Sequence, residues 1–516
     1  MTLDWTGGYV ADVGYTYGYY SELNPLHAKM ALLNAGLMYN NYACHLGVHC
    51  ELGFGQGVSA NIHAAASGST WYGNDFNPSQ AIFAKSLAQI SGSKVYLSDE
   101  SFDMFCNRAV LPEFDSIGLH GIWSWISDNN RQVIIDFVQR KLKVGGLLYV
   151  SYNTLPGWSS FAPVRHLLSE HASVMGSTGS GTLEKVKSAL SFTQKLMDTS
   201  PLYARSNPKA VERLQKISTQ EPNYLAHEYF NRDWQPMYFS NLAEQLAKAK
   251  LSYACSAHYL DQVDPINLSV EKLNFLQNIS DPIFKETVRD FMVNQNFRRD
   301  YWIKGPRKLN NVQKSQALRE QKVVLNTNTS NVTLKARGAL GEATMNDAIY
   351  QPLLENLADH KPITVGELEI KVGSQPSNFG NLNQAILVLA GTGVLSSVQD
   401  DASIDFAQSS CRELNTHLIE QSKATDEISY LGTPLTGGGI SVNRFEKLFL
   451  ASYTSGKTSL QEIAESTWYV VSSQGQKIKK EGKTLATDEE NISAISEQAN
   501  DFLIKKLPIL KELRVI

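Results

Sequence analysis

The sequence predicts an α/β protein that begins with a parallel sheet covered by helices on both faces. Short apolar runs alternate with helical patterns between residues 47 and 152, which is typical of consecutive βαβ units. A glycine-rich turn stands between the first of these runs and the helix that follows it. With 516 residues, the chain is also long enough for about three or four domains, each with its own core.

The predicted elements follow one another in a regular order. A helix opens at Pro25, where Leu26, Met30, Leu33 and Leu37 recur at helical spacing. Predicted strands then cover residues 47–52, 70–73, 94–97, 114–119 and 147–152. Predicted helices between them cover residues 58–66, 78–90 and 130–142. Five strands of the sheet are therefore in place by Tyr152.

After Tyr152 the alternation stops and only helical patterns follow, from about residue 162 to 238. Strand-like segments return at residues 251–259 and 296–303, each after a helical segment. We therefore interpret residues 1–158 and 236–305 as one discontinuous domain. The helical block, residues 159–235, is then an insertion, and the sheet has seven strands.

Three further regions are predicted after the sheet. Residues 306–335 are polar and read as a linker, so that a fragment ending after Pro306 is expected to fold. Residues 336–415 resemble a winged helix, with three helices and two short strands around Asp400 and Asp401. Residues 416–516 are predicted as a small α+β domain with a helix at 442–453, a hairpin-like region at 470–484 and a last helix.

Composition and charge exclude several classes of protein. Lys and Arg number 47 against 51 Asp and Glu, so the chain as a whole does not attract nucleic acid. The five cysteines lack CxxC spacing, which argues against a disulfide framework or a zinc ribbon and favours a reducing compartment. No signal peptide or long apolar segment is apparent. We expect a cytoplasmic protein with no membrane span and no metal.

The strongest local signal is the run Glu51-Leu-Gly53-Phe-Gly55-Gln-Gly57, between a predicted strand and a predicted helix. Glycine allows the unusual φ angles of such a turn and lets the backbone approach a ligand closely. In this context the turn indicates a site for a nucleotide-type cofactor. The acid Glu51 suits a cationic ligand better than a pyrophosphate, because opposite charges attract.

Two more acids follow the next two predicted strands. Asp75 closes the second strand and can accept hydrogen bonds from both hydroxyls of a ribose. Asp99 closes the third strand and can accept one from the amino group of adenine, while the nearby Phe102 packs the ring. Asp75 as a helix cap and Asp99 as a solvated loop acid are the purely structural alternatives. Three acids at successive strand ends favour a cofactor that carries both a cation and a nucleoside.

These motifs resemble those of class I S-adenosylmethionine-dependent methyltransferases. Residues 114–125 and 150–158 further resemble bacterial methyltransferases that carry a methyltransferase regulatory domain, a group that includes lysine methyltransferases acting on an outer-membrane protein. Residues 15–25 match their N-terminal segment, and residues 296–300 match their regulatory region. The resemblance covers about residues 9–305 well and the remainder loosely.

The resemblance implies a Rossmann-like seven-stranded methyltransferase sheet and transfer of a methyl group, with S-adenosylhomocysteine as product. It implies a protein lysine as acceptor and a homodimer, to which the amphipathic helices of the insertion also point. The expected cofactor-binding residues are Tyr17, Glu51, Gly53, Phe54, Gly55, Gly57, Asp75, Phe76, Asn77, Asp99, Ser101, Phe102, Leu119 and His120.

The candidate catalytic residues are His120, Tyr152 and Asn153, which follow or end the fourth and fifth strands. In an open α/β sheet these strand ends face the ligand crevice. His120 is a candidate base or orienting group, with a structural histidine as the equal alternative. Residues expected to contact the acceptor are Tyr15, Trp123, Trp125, Trp158, His227, Tyr229 and Tyr238.

Alternative functions remain open at this point. A small-molecule N- or O-methyltransferase would use the same cofactor motifs, and a non-catalytic scaffold could retain them. A DNA-binding role for the winged-helix-like region is disfavoured, because residues 336–408 hold three basic and nine acidic side chains. An interaction with protein is the better expectation for that region.

Overall fold

The computed structural model describes residues 6, 8–39, 44–176, 179–373 and 379–516. Its largest sheet has seven strands in the order β3-β2-β1-β4-β5-β7-β6. These strands are β1 Val48–Leu52, β2 Thr70–Asn74, β3 Val95–Ser98, β4 Phe114–Leu119, β5 Leu142–Asn153, β6 Leu251–Ser256 and β7 Phe297–Lys304. All neighbours are parallel except β7, which is antiparallel to both β5 and β6. The predicted seven-stranded sheet is confirmed.

Helices cover both faces of this sheet, and local sequence sets where they begin. Asn77 caps the third helix through its side chain and Pro78 takes the first helical position, as expected for residues with these properties. Ser127 caps the fifth helix in the same way. The helices are α1 Pro25–Asn34, α2 Val58–Ser67, α3 Pro78–Ser91, α4 Phe102–Cys106 and α5 Asp128–Lys141.

The insertion between β5 and β6 is a helical unit with its own hydrophobic core. Its helices are α6 Ala162–Val174, α7 Thr182–Asp198, α8 Leu202–Ser206, α9 Pro208–Ile217 and α10 Pro222–Tyr229. Trp158, Phe161, Leu168 and Leu214 are among the buried residues that pack together there. The chain then returns through α11 Phe239–Ala247 to β6. Before β7 lie α12 Asp264–Asn267, α13 Val270–Gln277 and α14 Pro282–Val293.

Residues 306–335 form regular structure where the sequence suggests a linker. They contain α15 Asn311–Arg319 and β8 Lys322–Leu325. A hairpin of β9 Lys335–Gly338 and β10 Gly341–Thr344 begins at their last residue. β8 is the central strand of a three-stranded sheet, flanked by β11 Ile363–Thr364 and β12 Leu395–Ser397. Val323, Val324 and Leu325 are fully buried. Three apolar residues in a polar segment are too few to reveal a strand whose partners lie far along the chain.

The region after β10 differs in part from the predicted order. Its helices are α16 Asp347–Leu357, α17 Val365–Lys371 and α18 Phe379–Gly391. Of the two strands predicted around Asp400 and Asp401, the described residues contain only β12, because Asp400 caps α19 Asp401–Gln421 by accepting from the Ser403 N–H. The assignment of this region as a winged helix stays a prediction.

The C-terminal region packs directly on the large sheet's helices. Its elements are β13 Tyr430–Thr433, β14 Gly438–Ser441, α20 Arg444–Thr454, α21 Leu460–Ser473, β15 Lys479–Lys480, β16 Lys483–Thr484, α22 Asp488–Asp501 and α23 Leu507–Glu512. The hairpin predicted at 470–484 is therefore limited to its second half, since α21 extends to Ser473. Val58 and Ile62 of α2 share one buried cluster with Leu414 and Leu418 of α19. The two regions thus form one core.

Candidate active site

A cavity of about 230 Å³ lies at the carboxyl ends of the parallel strands. The loop after β1, Asp75 and Phe76 after β2, and His120 to Ile122 after β4 all line it. Ligand sites of open α/β sheets are found at this edge. The predicted residues that line it are Tyr15, Glu51, Gly53, Phe54, Gly55, Asp75, Phe76, Ser101, Phe102, His120 and Trp125.

The glycine-rich loop has the backbone geometry that its sequence suggests. Gly53, Gly55 and Gly57 have φ angles of +71°, +57° and +67°, which side chains rarely tolerate. A Cβ atom on Gly53 would lie 2.4 Å from Cδ1 of Ile122, across the cavity. The loop therefore needs glycine for its conformation and for its close approach to the opposite wall.

Two buried carboxyl groups lie beside this loop. Asp75 accepts hydrogen bonds from the N–H groups of Gly55 at 2.9 Å and Asn77 at 3.0 Å. Burial raises the pKa of Asp75 to about 6, although these two bonds oppose the rise. Burial, followed by the charge of Asp75, raises the pKa of Glu51 to about 8. Ionising both groups together is costly unless a cation binds near them.

The N-terminal segment covers the cavity. Tyr9, Tyr15, Thr16 and Tyr20 line it, and Tyr15 lies over the backbone of the glycine loop. The segment is fixed to the sheet domain by the Tyr20 N–H, which donates to Ser59 Oγ at 2.9 Å. It is fixed to the insertion as well, because the Val10 N–H donates to Asn231 Oδ1, also at 2.9 Å. Sheet, insertion and N-terminal segment together form one site.

His120 stands at the edge of this cavity in a firmly defined position. Its Nδ1 lies 2.8 Å from the hydroxyl of Tyr149, and its ring stacks on Tyr20 with 3.4 Å between ring centroids. Burial lowers the pKa of His120 to about 4, although the charge of Glu22 acts in the opposite direction. The imidazole is therefore neutral at pH 7 and suits orientation of a polar group better than proton storage.

Tyr20 and His120 also line a second cavity, of about 810 Å³. Its other walls come from three parts of the chain: the sheet domain, the region around β12, and the C-terminal region around β14. Glu22 lies in this cavity and pairs with Arg299 at 2.7 Å. The two cavities thus share a wall that consists of the stacked rings of Tyr20 and His120.

Comparison with known proteins assigns the family. Residues 221–304 match the family model of a predicted methyltransferase regulatory domain. The uncharacterized protein sll1526 of Synechocystis is 38% identical over 99% of this chain and 100% of its own length. The chain belongs to the S-adenosylmethionine-dependent methyltransferases that carry this regulatory domain. A second relative, the uncharacterized protein RP789 of Rickettsia prowazekii, is 24% identical over 73% of this chain and 71% of its own length.

A solved structure has the same fold along almost the whole methyltransferase. PKMT2 from Rickettsia typhi, in complex with AdoHcy, matches 97% of this chain and 100% of its own, with a TM-score of 0.70 and 19% identity. A second structure of PKMT2 matches with a TM-score of 0.68 and 18% identity. The insertion and the regions after the sheet are therefore part of a shared architecture.

The cavity residues of this methyltransferase fit its cofactor. S-adenosylmethionine supplies a methyl group on a positively charged sulfur and also carries an ammonium group. Glu51 Oε2 is buried and has no hydrogen-bond partner among the described residues, so a cationic group would offset its burial. Asp75 retains acceptor capacity for ribose hydroxyls. Phe102 and Ile122 offer apolar surface for the adenine ring.

The structure places two of the three candidate catalytic residues outside the cavity. The Tyr152 hydroxyl donates to Asp300 Oδ2 at 2.9 Å inside the core. Side chains alternate along a strand, so Tyr149 and Ser151 of β5 reach the residues after β4, whereas Tyr152 points to the opposite face. Asn153 is buried and its N–H donates to Ser124 Oγ. Of the three candidates, His120 is the one that lines this cavity.

Other predicted binding residues also lie elsewhere. Asp99 is exposed and pairs with Lys85 at 3.5 Å, and Tyr17 packs against Phe83. Trp123, Trp158 and Tyr229 are buried in hydrophobic clusters. Five more predicted residues do not line the cavity. Gly57 precedes α2, Asn77 caps α3, and Leu119 lies in the core. His227 supports the N-terminal segment, and Tyr238 stacks on Phe291.

Several lining residues were missed by sequence reasoning. They include Tyr9, Thr16, Gln56, Asn74, Gln80, Ile122, Asn130 and Asp233. Tyr9 belongs to an aromatic N-terminal segment whose composition was the available signal. Asp233 and Asn130 carry no local pattern, because the fold brings them to the cavity from other elements.

We expect Asp75→Ala to weaken binding of S-adenosylhomocysteine about 10- to 150-fold, because hydrogen bonds to a charged group contribute about 1.5–3 kcal/mol. Affinity of the unmodified protein should also fall as the pH drops below about 6, where the Asp75 carboxylate takes up a proton. Calorimetry on folded protein measures both effects. Asp99→Ala is the matched control, since Asp99 is exposed and pairs with Lys85; a loss equal to that of Asp75→Ala would contradict this site.

Proposed function

We propose that this methyltransferase transfers the methyl group of S-adenosylmethionine to the side-chain amine of a lysine in a protein. The full-length correspondence with PKMT2 of Rickettsia typhi carries this proposal, because it extends over all regions outside the sheet domain. A methyltransferase of small metabolites needs little more than the sheet and a cover. Here, the insertion contributes Asp233 to the first cavity, and the two later regions line the second cavity beside it.

The second cavity supports a macromolecular acceptor. It is larger than the cofactor cavity and meets it only at Tyr20 and His120. Its walls include β12 and β14, which are edge strands among the described residues, and Glu22 contributes an acid. A lysine on an extended segment could reach across such a cavity, because its four-carbon side chain ends in a compact charged group.

The residues that line the cavity position the acceptor amine and exclude water from it. Tyr9, Tyr15 and Tyr20 cover the cavity and leave an aromatic wall against which an alkyl amine can be oriented. The neutral His120 is held by Tyr149 and can orient the nitrogen lone pair through a hydrogen bond. A lysine amine, with a pKa near 10.4 in water, must lose a proton before it can attack, and an apolar cavity favours that loss.

The test is transfer of label from a methyl donor with a radioactive methyl group to a fractionated bacterial lysate. We expect label in protein, recovered as methylated lysine after acid hydrolysis. Label confined to small molecules would instead support the alternative N- or O-methyltransferase. No transfer by protein that binds the donor would support the non-catalytic scaffold. A Gly57→Ala variant, which should not bind the donor, gives the background.

We further propose that the chain forms a homodimer through the insertion. Phe192 and Leu196 lie one turn apart on α7 and are 44% and 36% exposed. Val174 and Leu202 of the same unit are more than two-thirds exposed. Phe192 and Leu196 share one face of α7, and grouped exposed apolar side chains are typical of protein interfaces. The insertion's buried residues, including Leu168 and Val186, already form its own core.

We expect light scattering at tens of micromolar to give twice the mass of the chain. Phe192→Asp combined with Leu196→Asp should weaken self-association at least tenfold, because burying each such side chain contributes about 1.5–3 kcal/mol. Val110→Asp is a control at another exposed apolar residue, outside the insertion. A monomer in the unmodified protein, or dissociation caused equally by Val110→Asp, would contradict a dimer through this surface.

A further inference from the structure

The stacked rings of Tyr20 and His120 separate two cavities of very different size. The cofactor cavity has a volume of about 230 Å³, whereas the second cavity has a volume of about 810 Å³. Among the described residues, Tyr20 and His120 are the two that line both cavities. Their ring centroids are 3.4 Å apart and their planes differ by 17°. The contact between these two rings is therefore the boundary between the cavities.

The cofactor cavity leaves little space for an acceptor on its own side of this boundary. Pockets for small molecules usually have volumes of roughly 300–1,000 Å³, so a donor made of a nucleoside and an amino acid fills this one. Tyr9 and Tyr15 cover it, and the hydrogen bonds of Val10 and Tyr20 hold their segment to the insertion and to the sheet domain. The large space beside the donor is the second cavity. An acceptor amine is therefore expected to arrive through the shared wall.

The shared wall is closed while the rings are stacked. Non-bonded carbon atoms in contact lie about 3.5–4.0 Å apart, so an alkyl chain between two flat rings needs a separation of about 7–8 Å. The centroids of Tyr20 and His120, 3.4 Å apart, leave no such gap. An attacking amine has to come within about 3–3.5 Å of the methyl carbon. One of the two rings must therefore move first.

Tyr20 is the ring that is free to move. Its main chain is fixed to α2, because its N–H donates to Ser59 Oγ at 2.9 Å and its carbonyl oxygen lies 3.1 Å from His63 Nε2. Rotation about the Cα–Cβ bond of Tyr20 disturbs neither contact. His120 is instead held through its side chain, since Nδ1 lies 2.8 Å from the hydroxyl of the buried Tyr149.

Gly18 gives the Tyr20 ring its closed position. A Cβ atom on Gly18 would lie 2.6 Å from Cζ of Tyr20 and nearer still to the hydroxyl oxygen. The end of the ring thus lies directly over the backbone of a residue that has no side chain. Stacking on His120 and this close approach are packing contacts. A ligand with a flat or extended apolar surface can replace such contacts.

We propose that the ring of Tyr20 is a gate between the second cavity and the methyl donor, and that the acceptor opens it by taking its place on His120. This inference rests on the proposed function and deepens it, because it gives the route of the lysine side chain to the methyl group. While the gate is closed, the donor is shielded from water and from small nucleophiles. A long, unbranched chain that enters from the second cavity displaces the ring, and its methylene groups then cover the face of His120.

The experiment compares two analogues of the donor in which nitrogen replaces sulfur. One carries a methyl group, and the other carries an n-pentyl arm that continues from the methyl position along the route of a lysine side chain. Calorimetry on the complete protein gives both dissociation constants. We expect Tyr20→Ala to raise the affinity for the pentyl analogue relative to the methyl analogue about three- to tenfold. This is the range that breaking one stacked pair of rings costs, and the variant no longer has the pair.

The controls use the same ratio of affinities. Tyr20→Phe should keep the ratio of the unmodified protein, because phenylalanine can still stack on His120. Tyr20→Leu cannot stack but keeps an apolar side chain, so it should give a gain with less lost packing. Tyr15→Ala is the matched control, since Tyr15 lines the cofactor cavity and not the second one. It should change the affinity for both analogues alike. Thermal melting verifies that each variant is folded.

An analogue with an ethyl arm distinguishes passage through the wall from filling of the space that the missing ring leaves. Equal gains for the ethyl and pentyl arms would overturn the gate, and so would the absence of a gain in both Tyr20→Ala and Tyr20→Leu or an equal gain in Tyr15→Ala. The lysate experiment tests the proposed function separately. Methylated lysine without a gain for the pentyl arm overturns the gate alone. A gain for the pentyl arm with label confined to small molecules overturns lysine as the acceptor and supports the gate.

Discussion

Replacing Gly57 with alanine is expected to abolish measurable binding of S-adenosylmethionine, with a dissociation constant at least 100-fold higher. Gly57 has a φ angle of +67° and directly precedes α2. A Cβ atom there would lie 2.5 Å from the Cβ of Ala84 and 3.4 Å from its Cα, on α3. The left-handed conformation alone costs an alanine about 1–2 kcal/mol, and Ala84 has no flexible side chain that could move away.

The strain should be relieved by a shift of α2 and of the loop before it. Asn61 joins these elements, because its side-chain amide donates to the carbonyl oxygens of both Gly57 and Ala84. A shift would displace the backbone of the loop from the cofactor, and a loss of about 2.7 kcal/mol corresponds to the expected 100-fold. Calorimetry with S-adenosylhomocysteine and thermal melting on the same samples separate lost binding from lost folding.

Gly92→Ala is the matched control for this substitution. Gly92 has a φ angle of +63° and follows α3, but no atom lies within 4 Å of the Cβ position. Gly92→Ala should therefore lose the stability that a left-handed backbone conformation costs an alanine, without a steric clash. We expect lower stability with unchanged cofactor affinity. If Gly57→Ala also bound with unchanged affinity, the loop would not be the cofactor site.

The sheet and the glycine loop could be predicted because their signals are local. Parallel strands that are buried on both faces give short apolar runs, and the alternation with helices gives their order. The predicted conformations of Gly53, Gly55 and Gly57 need only neighbouring residues as context. Most boundaries of these elements agree with the sequence to within two residues, but β5 begins at Leu142, where the sequence predicts the end of a helix and a strand only from residue 147.

The acids after the strands show where local signals are insufficient. Asp75 and Asp99 follow consecutive strands, and the sequence treats them alike. In the folded sheet β2 is next to β1, whereas β3 is the edge strand. Asp75 therefore lies beside the glycine loop, and Asp99 reaches solvent and Lys85. The order of strands across a sheet is a property of long-range pairing, which no single motif contains.

Long separations along the chain explain the other differences between the sequence-based predictions and the structure. β8 pairs with β12, about 70 residues later, so the sequence predicts a linker where three buried residues form a strand. The N-terminal segment is held by Asn231, more than 200 residues away. Each of these positions depends on the packing of the insertion and of the later regions against the sheet.

Removing the regions after the sheet is therefore expected to prevent folding of the catalytic part. The sequence treats a chain ending after Pro306 as a complete methyltransferase domain. In the structure, Val58, Ile62 and Ala65 of α2 are buried in one cluster with residues of the C-terminal region. α1 is similarly buried, in a cluster shared with α16, α17 and α18. Fragment 1–306 would expose both helices.

The burial free energy that fragment 1–306 would lose is comparable to the stability of a whole domain. Each exposed Val, Ile or Leu forfeits about 1.5–3 kcal/mol of burial, whereas domains are stable by about 5–15 kcal/mol in total. Three hydrogen bonds across the boundary are also lost. They join Gln399 Nε2 to the Ala66 carbonyl at 2.9 Å, the Gly439 N–H to the Tyr19 hydroxyl at 2.7 Å, and Asn24 Nδ2 to the Thr436 carbonyl at 3.2 Å.

We expect fragment 1–306 to be insoluble when expressed alone and to become soluble when co-expressed with fragment 307–516, which covers both exposed faces. Fragment 1–157 should be insoluble in either case, because it lacks β6 and β7 and leaves β5 as an exposed edge. Fractionation followed by calorimetry with S-adenosylhomocysteine measures the outcome. A soluble fragment 1–306 with the affinity of the full chain would show that the sheet folds as an independent unit and that the shared clusters contribute little to its stability.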